Sequence, residues 1–465
     1  MSLPAVKHVH FIGIGGYGMS ALAQVLLKLG YRVSGSDLKE SAITRRLSEE
    51  GATVVTTGHS RENVRGSELV VYSTAIPADN PELCEARGSG IPVWHRSELL
   101  ANLINDHYGI TVAGTHGKTT TTTMIALLLE QGGLDPTAII GGTVASFEGN
   151  ARLGKSRYLV AEACESDHSF LRYYPRIAVV TNMEPDHLEH YNGDFEKLRE
   201  AYRTFLEHLH SDGCAVLCTD DPYLRELAPR LERRVVTYAL EGAPAEAEFE
   251  GRGITFAGRT AQFVLHHHGK PVTGTIKLQV PGRHNVSNAV GALAVAAQLG
   301  LEPQQCAGAI GNFFGAGRRF EVLGEVNGIT VVDDYAHHPT EVRVTLEAAR
   351  AGSKRICCLF QPHRYTRTAY FFEEFARAFS DADLVLLHRI YPAGEKPVDG
   401  ITAEALARRI SEIKGGSVFA GENMDELENR ALAFARPGDL ILVMGAGDIS
   451  KAAYSIYDKL NRFSD

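Results

Sequence analysis

The run Gly114-Thr115-His116-Gly117-Lys118-Thr119-Thr120 constrains this chain more than any other segment. An apolar stretch over 109–113 predicts a strand before it, and an amphipathic pattern predicts a helix after it. Glycines let a backbone approach a polyphosphate, and the amides at a helix start point at its oxygens. In such a loop Lys118 reaches the outer phosphates and the Thr119 hydroxyl can hold Mg²⁺. The run therefore predicts a nucleoside-triphosphate site; the alternative is a glycine-rich turn that opens a helix.

Length and charge limit the classes of function to consider. The chain has 465 residues, and this length predicts roughly three domains of about 150 residues each. Its net charge of -9 argues against nucleic acid as the main partner, because phosphate backbones attract basic surfaces. No apolar stretch approaches the roughly 20 residues that span a bilayer, so no membrane partner is expected.

The cysteines indicate the redox compartment. There are seven, an odd number, and their spacing fits neither a zinc site nor a disulfide framework. Most lie in apolar runs, where a reduced thiol behaves as a small hydrophobic side chain. We therefore expect free thiols and a cytoplasmic location.

Alternating strand and helix patterns divide the chain into three α/β blocks, with expected boundaries of 1–97, 98–314 and 315–465. Such alternation predicts parallel sheets with right-handed crossovers. Between residues 246 and 280 the pattern changes to short alternating strands. The predicted fold is a three-domain α/β protein. It has a Rossmann-like first domain, a central ATPase-type domain with a small β excursion, and a Rossmann-like third domain.

The first block carries a second glycine loop. Gly13, Gly15 and Gly18 follow an apolar stretch, and Asp37 lies nineteen residues after Gly18, where a ribose-binding acid belongs. The pattern predicts a pyrophosphate at a helix start, in a dinucleotide or in another nucleotide; a purely structural turn is the alternative. His59 and the pair Ser73-Thr74 follow other predicted strands of this block, and a lone His59 is better explained as a structural or solvated residue than as a functional one.

Acidic residues end the strands beside the phosphate loop. Glu162 closes the predicted strand 158–162, and a carboxylate there is the arrangement expected for a magnesium ligand. Glu165 and Asp167 follow it as helix caps or as direct participants. His187 follows the next strand, as a second metal ligand or as a hydrogen-bonded loop histidine.

Further candidates lie in the last part of the chain. Asn285 and Asn288 are three residues apart on one face of a turn that opens a predicted helix over 289–299, and they either bind a ligand or cap that helix. Polar residues also follow the strands predicted in the third block, and arginines there suit bidentate binding of carboxylate or phosphate. These residues are Asp334, His337, His338, His363, Arg364 and Arg367.

Taken together, these motifs resemble the Mur ligase family over essentially the whole chain. The shortened phosphate loop, with Val112 where most such loops have a glycine, is the form this family uses. The one departure is Ala336, where a glycine is expected, and it should shift the loop that carries Tyr335. The matching motifs are 13–20, 114–120, Glu162 with 165–167, 182–187, 284–285 with Asn288, 318–320, 333–339 and 361–367.

The resemblance implies an ATP-dependent ligase that joins L-alanine to the lactyl carboxylate of UDP-N-acetylmuramate in peptidoglycan precursor synthesis. The carboxylate would attack the γ-phosphate, and the alanine amine would attack the resulting acyl phosphate. ATP and Mg²⁺ are the expected cofactors, and the protein is expected to be a monomer or a weak homodimer. The first glycine loop would then hold the pyrophosphate of a UDP-sugar rather than a redox cofactor.

The resemblance also implies a role for each candidate residue. Thr119, Glu162 and His187 would bind the metal ion. Gly15, Gly16, Ser36, Asp37, His59, Ser73 and Thr74 would line the UDP-sugar site. Gly114, Thr115, His116, Gly117, Lys118, Thr119, Thr120, Asn285, Asn288, Arg319, Asp334 and Tyr335 would bind ATP. Lys118, Arg319, His337, His363, Arg364 and Arg367 would serve the reaction itself.

Three alternatives remain open on sequence grounds. A ligase that adds a preformed tripeptide to the same sugar nucleotide has similar motifs, although the form of the first loop, 15–19, favours the alanine enzyme. A nicotinamide-dependent dehydrogenase would use the first block and leave the phosphate loop without a purpose. A nucleotide switch would leave the cationic loops of the third block unexplained.

Overall fold

The computed structural model describes residues 6–144, 147 and 149–462. These residues form three β-sheets flanked by helices. They divide into two compact units. One contains the described residues up to Arg252 with Val264–Ile276 and Ser287–Ile310, and the other contains Gly253–Phe263, Lys277–Val286 and the described residues from Gly311 onward. Among the described helices, none is both long and apolar enough to cross a bilayer.

The first sheet has five parallel strands in the order β3-β2-β1-β4-β5. Its strands are β1 (His8–Ile12), β2 (Arg32–Ser36), β3 (Thr53–Val55), β4 (Leu69–Tyr72) and β5 (Val93–His95), and its helices are α1 (Tyr17–Lys28), α2 (Ala42–Glu49), α3 (Pro81–Gly88) and α4 (Arg96–Asp106). The strand order reverses beside β1, and the first glycine loop follows β1. Ligands of open α/β sheets bind at such a reversal.

The second sheet has ten strands in the order β15-β14-β13-β12-β11-β10-β6-β9-β7-β8. Its strands are β6 (Tyr108–Ala113), β7 (Thr137–Val144), β8 (Gly149–Arg152), β9 (Tyr158–Glu162), β10 (Ile177–Val180), β11 (Cys214–Cys218), β12 (Arg234–Leu240), β13 (Phe249–Ala257), β14 (Thr260–His267) and β15 (Lys270–Leu278). Its helices are α5 (Lys118–Gln131), α6 (Phe195–Glu207), α7 (Pro222–Leu227), α8 (Arg283–Gln298) and α9 (Pro303–Ile310). Because β9 and β10 are both parallel neighbours of β6, all three strands end at the edge where the phosphate loop begins.

The third sheet has six strands in the order β16-β17-β21-β18-β19-β20. Only β16, paired with β17, is antiparallel among the described strands of this sheet. The strands are β16 (Glu321–Val326), β17 (Ile329–Asp334), β18 (Ile356–Phe360), β19 (Leu384–His388), β20 (Ser417–Gly421) and β21 (Leu440–Met444). The helices are α10 (Pro339–Arg350), α11 (Tyr365–Tyr370), α12 (Phe372–Arg377), α13 (Ala403–Lys414), α14 (Met424–Phe434) and α15 (Ser450–Arg462).

Strand β18 shows why the third sheet is covered on both faces. All five of its residues are buried, and successive side chains point to opposite faces of a strand. Cys358 and Phe360 pack with α10, α12 and α13, whereas Cys357 and Leu359 pack with α14 and α15. A strand that contributes side chains to two hydrophobic cores has a continuous apolar sequence, which is typical of parallel sheets.

The predicted fold class is confirmed, and two element boundaries differ from expectation. Strand β17 continues through Asp333 and Asp334, which the sequence placed in a loop. Helix α8 begins at Arg283, so Asn285 and Asn288 lie within it rather than before it. In both places polar residues are buried inside regular structure, a situation that a hydrophobic pattern does not reveal.

Candidate active site

The phosphate loop is fixed by the segment that follows β10. The His116 amide donates to Oδ1 of Asn182 (2.9 Å), and the Glu184 amide donates to Oγ1 of Thr115 (2.8 Å). The Thr181 hydroxyl donates to the His116 carbonyl (2.6 Å). The loop therefore keeps its shape through bonds to a neighbouring strand end, which is a form of preorganisation.

Helix α5 starts directly behind this loop. Gly117 lies at its N-terminus in the left-handed region (φ +82°), and Thr119 and Thr120 are buried in its first turn. Within the described part of the chain, no side chain caps this helix start, which leaves its amides for a ligand. A Cβ at Gly117 would lie 2.6 Å from Oδ1 of Asn288, so that asparagine packs against the loop as expected of an ATP-side residue.

The Lys118 ammonium group is paired inside the protein. Its Nζ lies 3.0 and 3.1 Å from the two carboxylate oxygens of Glu165 and donates to the Thr115 carbonyl (3.2 Å) and to the Gly114 carbonyl. Burial lowers the pKa of Lys118, but the Glu165 carboxylate and other acidic neighbours raise it further, so the net pKa is raised. Lys118 is therefore charged, and a triphosphate can attract its ammonium group away from the Glu165 carboxylate. Glu165 is thus bonded to a predicted site residue, and its direct participation stays a prediction.

Glu162 ends β9 opposite Val112, beside the phosphate loop. Its Oε1 accepts the Gly141 amide (2.7 Å), and the side chain is only partly buried. Magnesium prefers one or two carboxylates with phosphate oxygens and water, so the donor set of Glu162 and the Thr119 hydroxyl fits this ion.

The side chain of His187 has two acidic neighbours. His187 has a left-handed backbone (φ +56°), and its ring nitrogens lie 3.6 Å from Oδ2 of Asp186 and 3.8 Å from Oε1 of Glu189. Within the described residues of the first unit, the one group of three potential ligands within 4.8 Å is Glu248, His267 and His268. Glu248 directly precedes β13, and His267 and His268 lie at the end of β14. In the sheet, β10, β11 and β12 separate β13 and β14 from β6.

The predicted UDP-sugar residues lie on the loops after β1 to β4. Oδ2 of Asp37 accepts the Gly15 amide (2.9 Å), and the Ser36 carbonyl accepts the Gly13 amide (2.8 Å). The Gly16 amide donates to the Gly13 carbonyl (3.2 Å). These hydrogen bonds connect the glycine loop to the end of β2. Ser73 and Thr74 directly follow β4 at the same edge of the sheet.

Glu82 joins this group, although the sequence did not single it out. The Ser36 hydroxyl donates to Oε2 of Glu82 (2.6 Å), and Nδ1 of His59 lies 3.0 Å from the Ser36 hydroxyl oxygen. The Asn80-Pro81 helix start was the available signal, since it places Glu82 in the first turn of α3, where acids are favoured.

In the second unit, Asp334 is a buried carboxyl group at the end of β17. Its oxygens accept the Phe320 amide (2.6 Å) and the Ala336 amide (2.7 Å). Burial raises the pKa of Asp334 to about 6, against the opposing effects of Arg319 and of these amides. Ala336, the departure from the family pattern, is accommodated in this turn and is almost fully buried.

Tyr335 has two arginines beside its ring. The guanidinium carbons of Arg318 and Arg319 lie 5.0 and 5.2 Å from the ring centroid. Arg319 also lies 3.5 Å from Oε1 of Glu341, whose Oε2 accepts the His337 amide (3.0 Å). Glu341 was not predicted, although its position in the first turn of α10 completes a capping box.

His363 lies among predicted site residues. Its ring is 6.0 Å from that of His337, and burial, followed by the charges of Arg367 and Arg364, lowers the pKa of His363 to about 4. His363 is therefore neutral near pH 7, and the arginines supply the positive charge. Within the described part of the chain, Nδ1 of His363 is buried without a hydrogen-bond partner, which suits a nitrogen that meets a ligand.

The two arginines differ in their surroundings. Arg367 is 7% exposed in helix α11. Nε of Arg364 lies 2.6 Å from Oε1 of Glu395, whose other oxygen accepts the Thr366 amide (3.0 Å). Glu395 had no sequence signal, because it stands in an irregular segment rich in proline and glycine.

The remaining Asn of the predicted ATP set bonds locally. Nδ2 of Asn285 donates to the Pro281 carbonyl (2.7 Å), so this side chain stabilises the start of α8. This bond is local, and ligand binding by Asn285 stays a prediction.

Three domain profiles of one family match this chain. They are described as the Mur ligase family catalytic domain (residues 8–108), the Mur ligase middle domain (112–296) and the Mur ligase glutamate ligase domain (318–447). The UDP-N-acetylmuramate–L-alanine ligase of Pelotomaculum thermopropionicum is 50% identical over 455 residues, which cover 98% of each chain.

Solved structures agree with this match. The UDP-N-acetylmuramate–alanine ligase of Thermotoga maritima has a TM-score of 0.83 at 29% identity, covering 98% of this chain and 100% of that one. A murein peptide ligase from Psychrobacter arcticus, at 24% identity, has a TM-score of 0.72 with 98% of both chains covered, and it shares the fold.

Gly117→Ala should weaken ATP binding at least about tenfold, because the new methyl group must displace Asn288. Gly133→Ala is the matched control: Gly133 has a similar positive φ (+78°) but open space around its Cβ direction. Both variants carry the left-handed strain of about 1 kcal/mol, so the control accounts for a general loss of stability. Calorimetric titration with a non-hydrolysable ATP analogue measures both, and equal affinities in the two variants would contradict the role of this contact.

The contribution of Asp334 to the free energy of unfolding should fall as pH rises from about 4 to about 6. The unfolded aspartate has a pKa of about 3.9, so in this window the folded state keeps a proton that the unfolded state releases. The shift corresponds to about 3 kcal/mol. Unfolding free energies from urea titrations should show the wild-type minus Asp334→Asn difference falling across this window and constant above about pH 7. A difference that does not change with pH would refute the raised pKa.

Proposed function

The chain belongs to the Mur ligase family, and on that premise we propose that it joins L-alanine to the lactyl carboxylate of UDP-N-acetylmuramate with ATP, in peptidoglycan precursor synthesis. The observation that carries the proposal is the placement of Lys118 in a preorganised phosphate loop, between the carboxyl ends of two parallel strands. The relative named UDP-N-acetylmuramate–L-alanine ligase supports the choice of substrates, since 98% of both chains align at 50% identity.

The reaction needs two steps. A carboxylate oxygen of the sugar nucleotide attacks the γ-phosphorus of ATP, and the bond from this phosphorus to the β-phosphate oxygen breaks. ADP departs, and the sugar nucleotide now carries an acyl phosphate. The alanine amine attacks the acyl carbon, phosphate departs from the tetrahedral intermediate, and the amine gives up a proton. Lys118 stabilises the charge on the phosphoryl group in the first step, because the phosphate loop holds its ammonium group close to where that charge develops.

Mg²⁺ would be held by Glu162, Thr119 and His187, and when bound it would neutralise phosphate charge. Glu162 and Thr119 are the better supported ligands, since both lie at the edge where the phosphate loop begins. His187 requires its ring to leave Asp186 and Glu189.

The remaining roles follow the family pattern. Asn285, Asn288, Arg319, Asp334 and Tyr335 are assigned to ATP. His337, His363, Arg364 and Arg367 are assigned to the substrate carboxylate and the incoming amino acid. The neutral state of His363 supports a hydrogen-bonding role for it, whereas Arg364 and Arg367 carry the charge that draws two anions together.

The proposed domain functions are UDP-sugar binding for residues 1–97, ATP binding for 98–314 and amino-acid binding for 315–465. The matched family ranges, 8–108, 112–296 and 318–447, support three functional parts in this order. A cytoplasmic location is part of the proposal, and the seven free thiols accord with a reducing compartment.

The tripeptide ligase is the nearest rival. Its solved relative shares the fold at 24% identity, against 50% for the alanine ligase of Pelotomaculum thermopropionicum. A nicotinamide-dependent dehydrogenase is disfavoured because it would leave Lys118 and its loop without a function.

We expect phosphate release from ATP and UDP-N-acetylmuramate to depend on the amine supplied, with L-alanine giving the highest kcat/KM among alanine, serine, glycine and the tripeptide. Lys118→Ala should lower kcat at least about a hundredfold, because it removes a cation from the transferring phosphoryl group. Lys155→Ala, which changes an exposed lysine, is the control and should retain full activity.

A coupled phosphate assay with product identification by mass spectrometry measures these rates. Preference for the tripeptide would assign the rival function, and undiminished turnover of Lys118→Ala would end the phosphate-loop mechanism.

A further inference from the structure

Glu82 is a buried acid to which the proposed reaction gives no role. It lies in the first turn of α3 and is 0% exposed. Oε2 accepts from Ser36 (2.6 Å) and lies 3.2 Å from Nε2 of His10, while Oε1 accepts the Ser60 amide (3.2 Å) and Nδ2 of Asn63 (2.6 Å). The Glu82 carboxylate therefore connects His10 in β1 and Ser36 at the end of β2 with the segment that follows β3.

This carboxylate is ionised. Burial alone would raise the pKa of Glu82, but hydrogen bonds from His10, Ser36 and Asn63 outweigh burial and lower it to about 2. A buried anion beneath a site for a pyrophosphate is unfavourable unless a positive charge accompanies it. The compensating charge must come from the neighbouring histidines.

The hydrogen bonds on the β1 side require one extra proton. His8 lies between the Gly66 carbonyl (2.7 Å) and the Ser34 hydroxyl (2.8 Å), and His10 lies between that hydroxyl (2.8 Å) and Glu82. These four bonds join two groups that only accept, so four protons are needed. Two neutral imidazoles and one hydroxyl supply three. One imidazole is therefore doubly protonated, and its charge balances Glu82. Burial lowers the pKa of His8.

The hydrogen bonds on the β2 side determine which ring nitrogen of His59 carries the proton. The Ser36 hydroxyl has one proton, and the Glu82 carboxylate can only accept, so this proton points to Glu82. The Ser36 oxygen must then accept from Nδ1 of His59, 3.0 Å away. Nδ1 of His59 is therefore protonated, and Nε2 is the nitrogen left for a ligand. Among the described residues, no hydrogen-bond partner of that Nε2 is found.

We propose that Glu82 is a positioning residue of the UDP-sugar site: through the Ser36 hydroxyl it fixes the proton on Nδ1 of His59 and presents Nε2 of that ring to the UDP part of the substrate. This inference rests on the proposed function, because Ser36 and His59 belong to the proposed UDP-sugar set. Glu82 itself makes no contact with the substrate in this account. The nearby Ser36 carbonyl also binds the Gly13 and Ile14 amides, so the same carboxylate supports the shape of the glycine loop.

Glu82→Gln tests the proposal, because the amide keeps the volume and turns one acceptor into a donor. We expect the KM for UDP-N-acetylmuramate and the Kd for UDP to rise about tenfold. The KM values for ATP and L-alanine and kcat at saturation should stay within about twofold of wild type. Glu85→Gln on the same helix is the control; Glu85 bonds only locally, to the Ser89 hydroxyl (2.8 Å), and its variant should match wild type.

Two further measurements separate positioning from folding. In a Ser36→Ala background, Glu82→Gln should change UDP affinity less than it does in the wild-type protein, because the hydroxyl link to His59 is already broken and only the 3.5 Å approach of Oε1 of Glu82 to Nδ1 of His59 remains. In the wild-type protein, ¹⁵N NMR of labelled histidine, assigned with His59→Gln, should show a proton on Nδ1 of His59. The NMR result does not depend on whether Glu82→Gln folds.

The proposal is overturned if Nδ1 of His59 carries no proton. It is also overturned if the losses of UDP affinity add up in the double variant, or if the KM values for all three substrates change equally. Failure of the wild-type protein to bind UDP-N-acetylmuramate would instead refute the proposed function. Normal wild-type turnover with an unaffected Glu82→Gln variant would refute only the role of Glu82.

Discussion

The pairing of Lys118 with Glu165 is the interaction on which the candidate site depends. A largely buried ammonium group must have an anionic partner, and in this structure Glu165 and two loop carbonyls provide it. A triphosphate brings a stronger partner to the same cation, so binding exchanges one ion pair for another. The bonds from Asn182 and Thr181 keep the loop in place during that exchange.

The same arrangement recurs wherever the chain prepares for an anionic ligand. A protein carboxylate holds a cationic or hydroxyl side chain that the proposed mechanism assigns to substrate. Such carboxylates hold the binding side chains in defined positions, and Glu165 also competes with the ligand for Lys118. The described examples are Glu165 with Lys118, Glu82 with Ser36, Glu341 with Arg319 and Glu395 with Arg364.

The fold was largely predictable, because parallel strands covered on both faces give continuous apolar runs. Strands β9, β10, β18 and β21 begin and end where these runs do. The phosphate loop was predictable because its glycines and lysine are consecutive. The partner carboxylates Glu82 and Glu395 were not, since Glu82 lies 46 residues from Ser36 and Glu395 lies 31 residues from Arg364. Such pairs arise only when the sheet brings distant loops together. The end of β17 was missed because buried aspartates resemble loop residues until their amide partners are known.

The affinity of a non-hydrolysable ATP analogue for the Glu165→Gln variant tests the central claim most directly. If Glu165 is a partner that the triphosphate displaces, its neutralisation removes a competing anion, and calorimetry should show tighter binding than wild type by a few fold. Weaker binding would mean that Glu165 aims Lys118 at the nucleotide rather than competing for it, and would contradict the exchange of ion pairs.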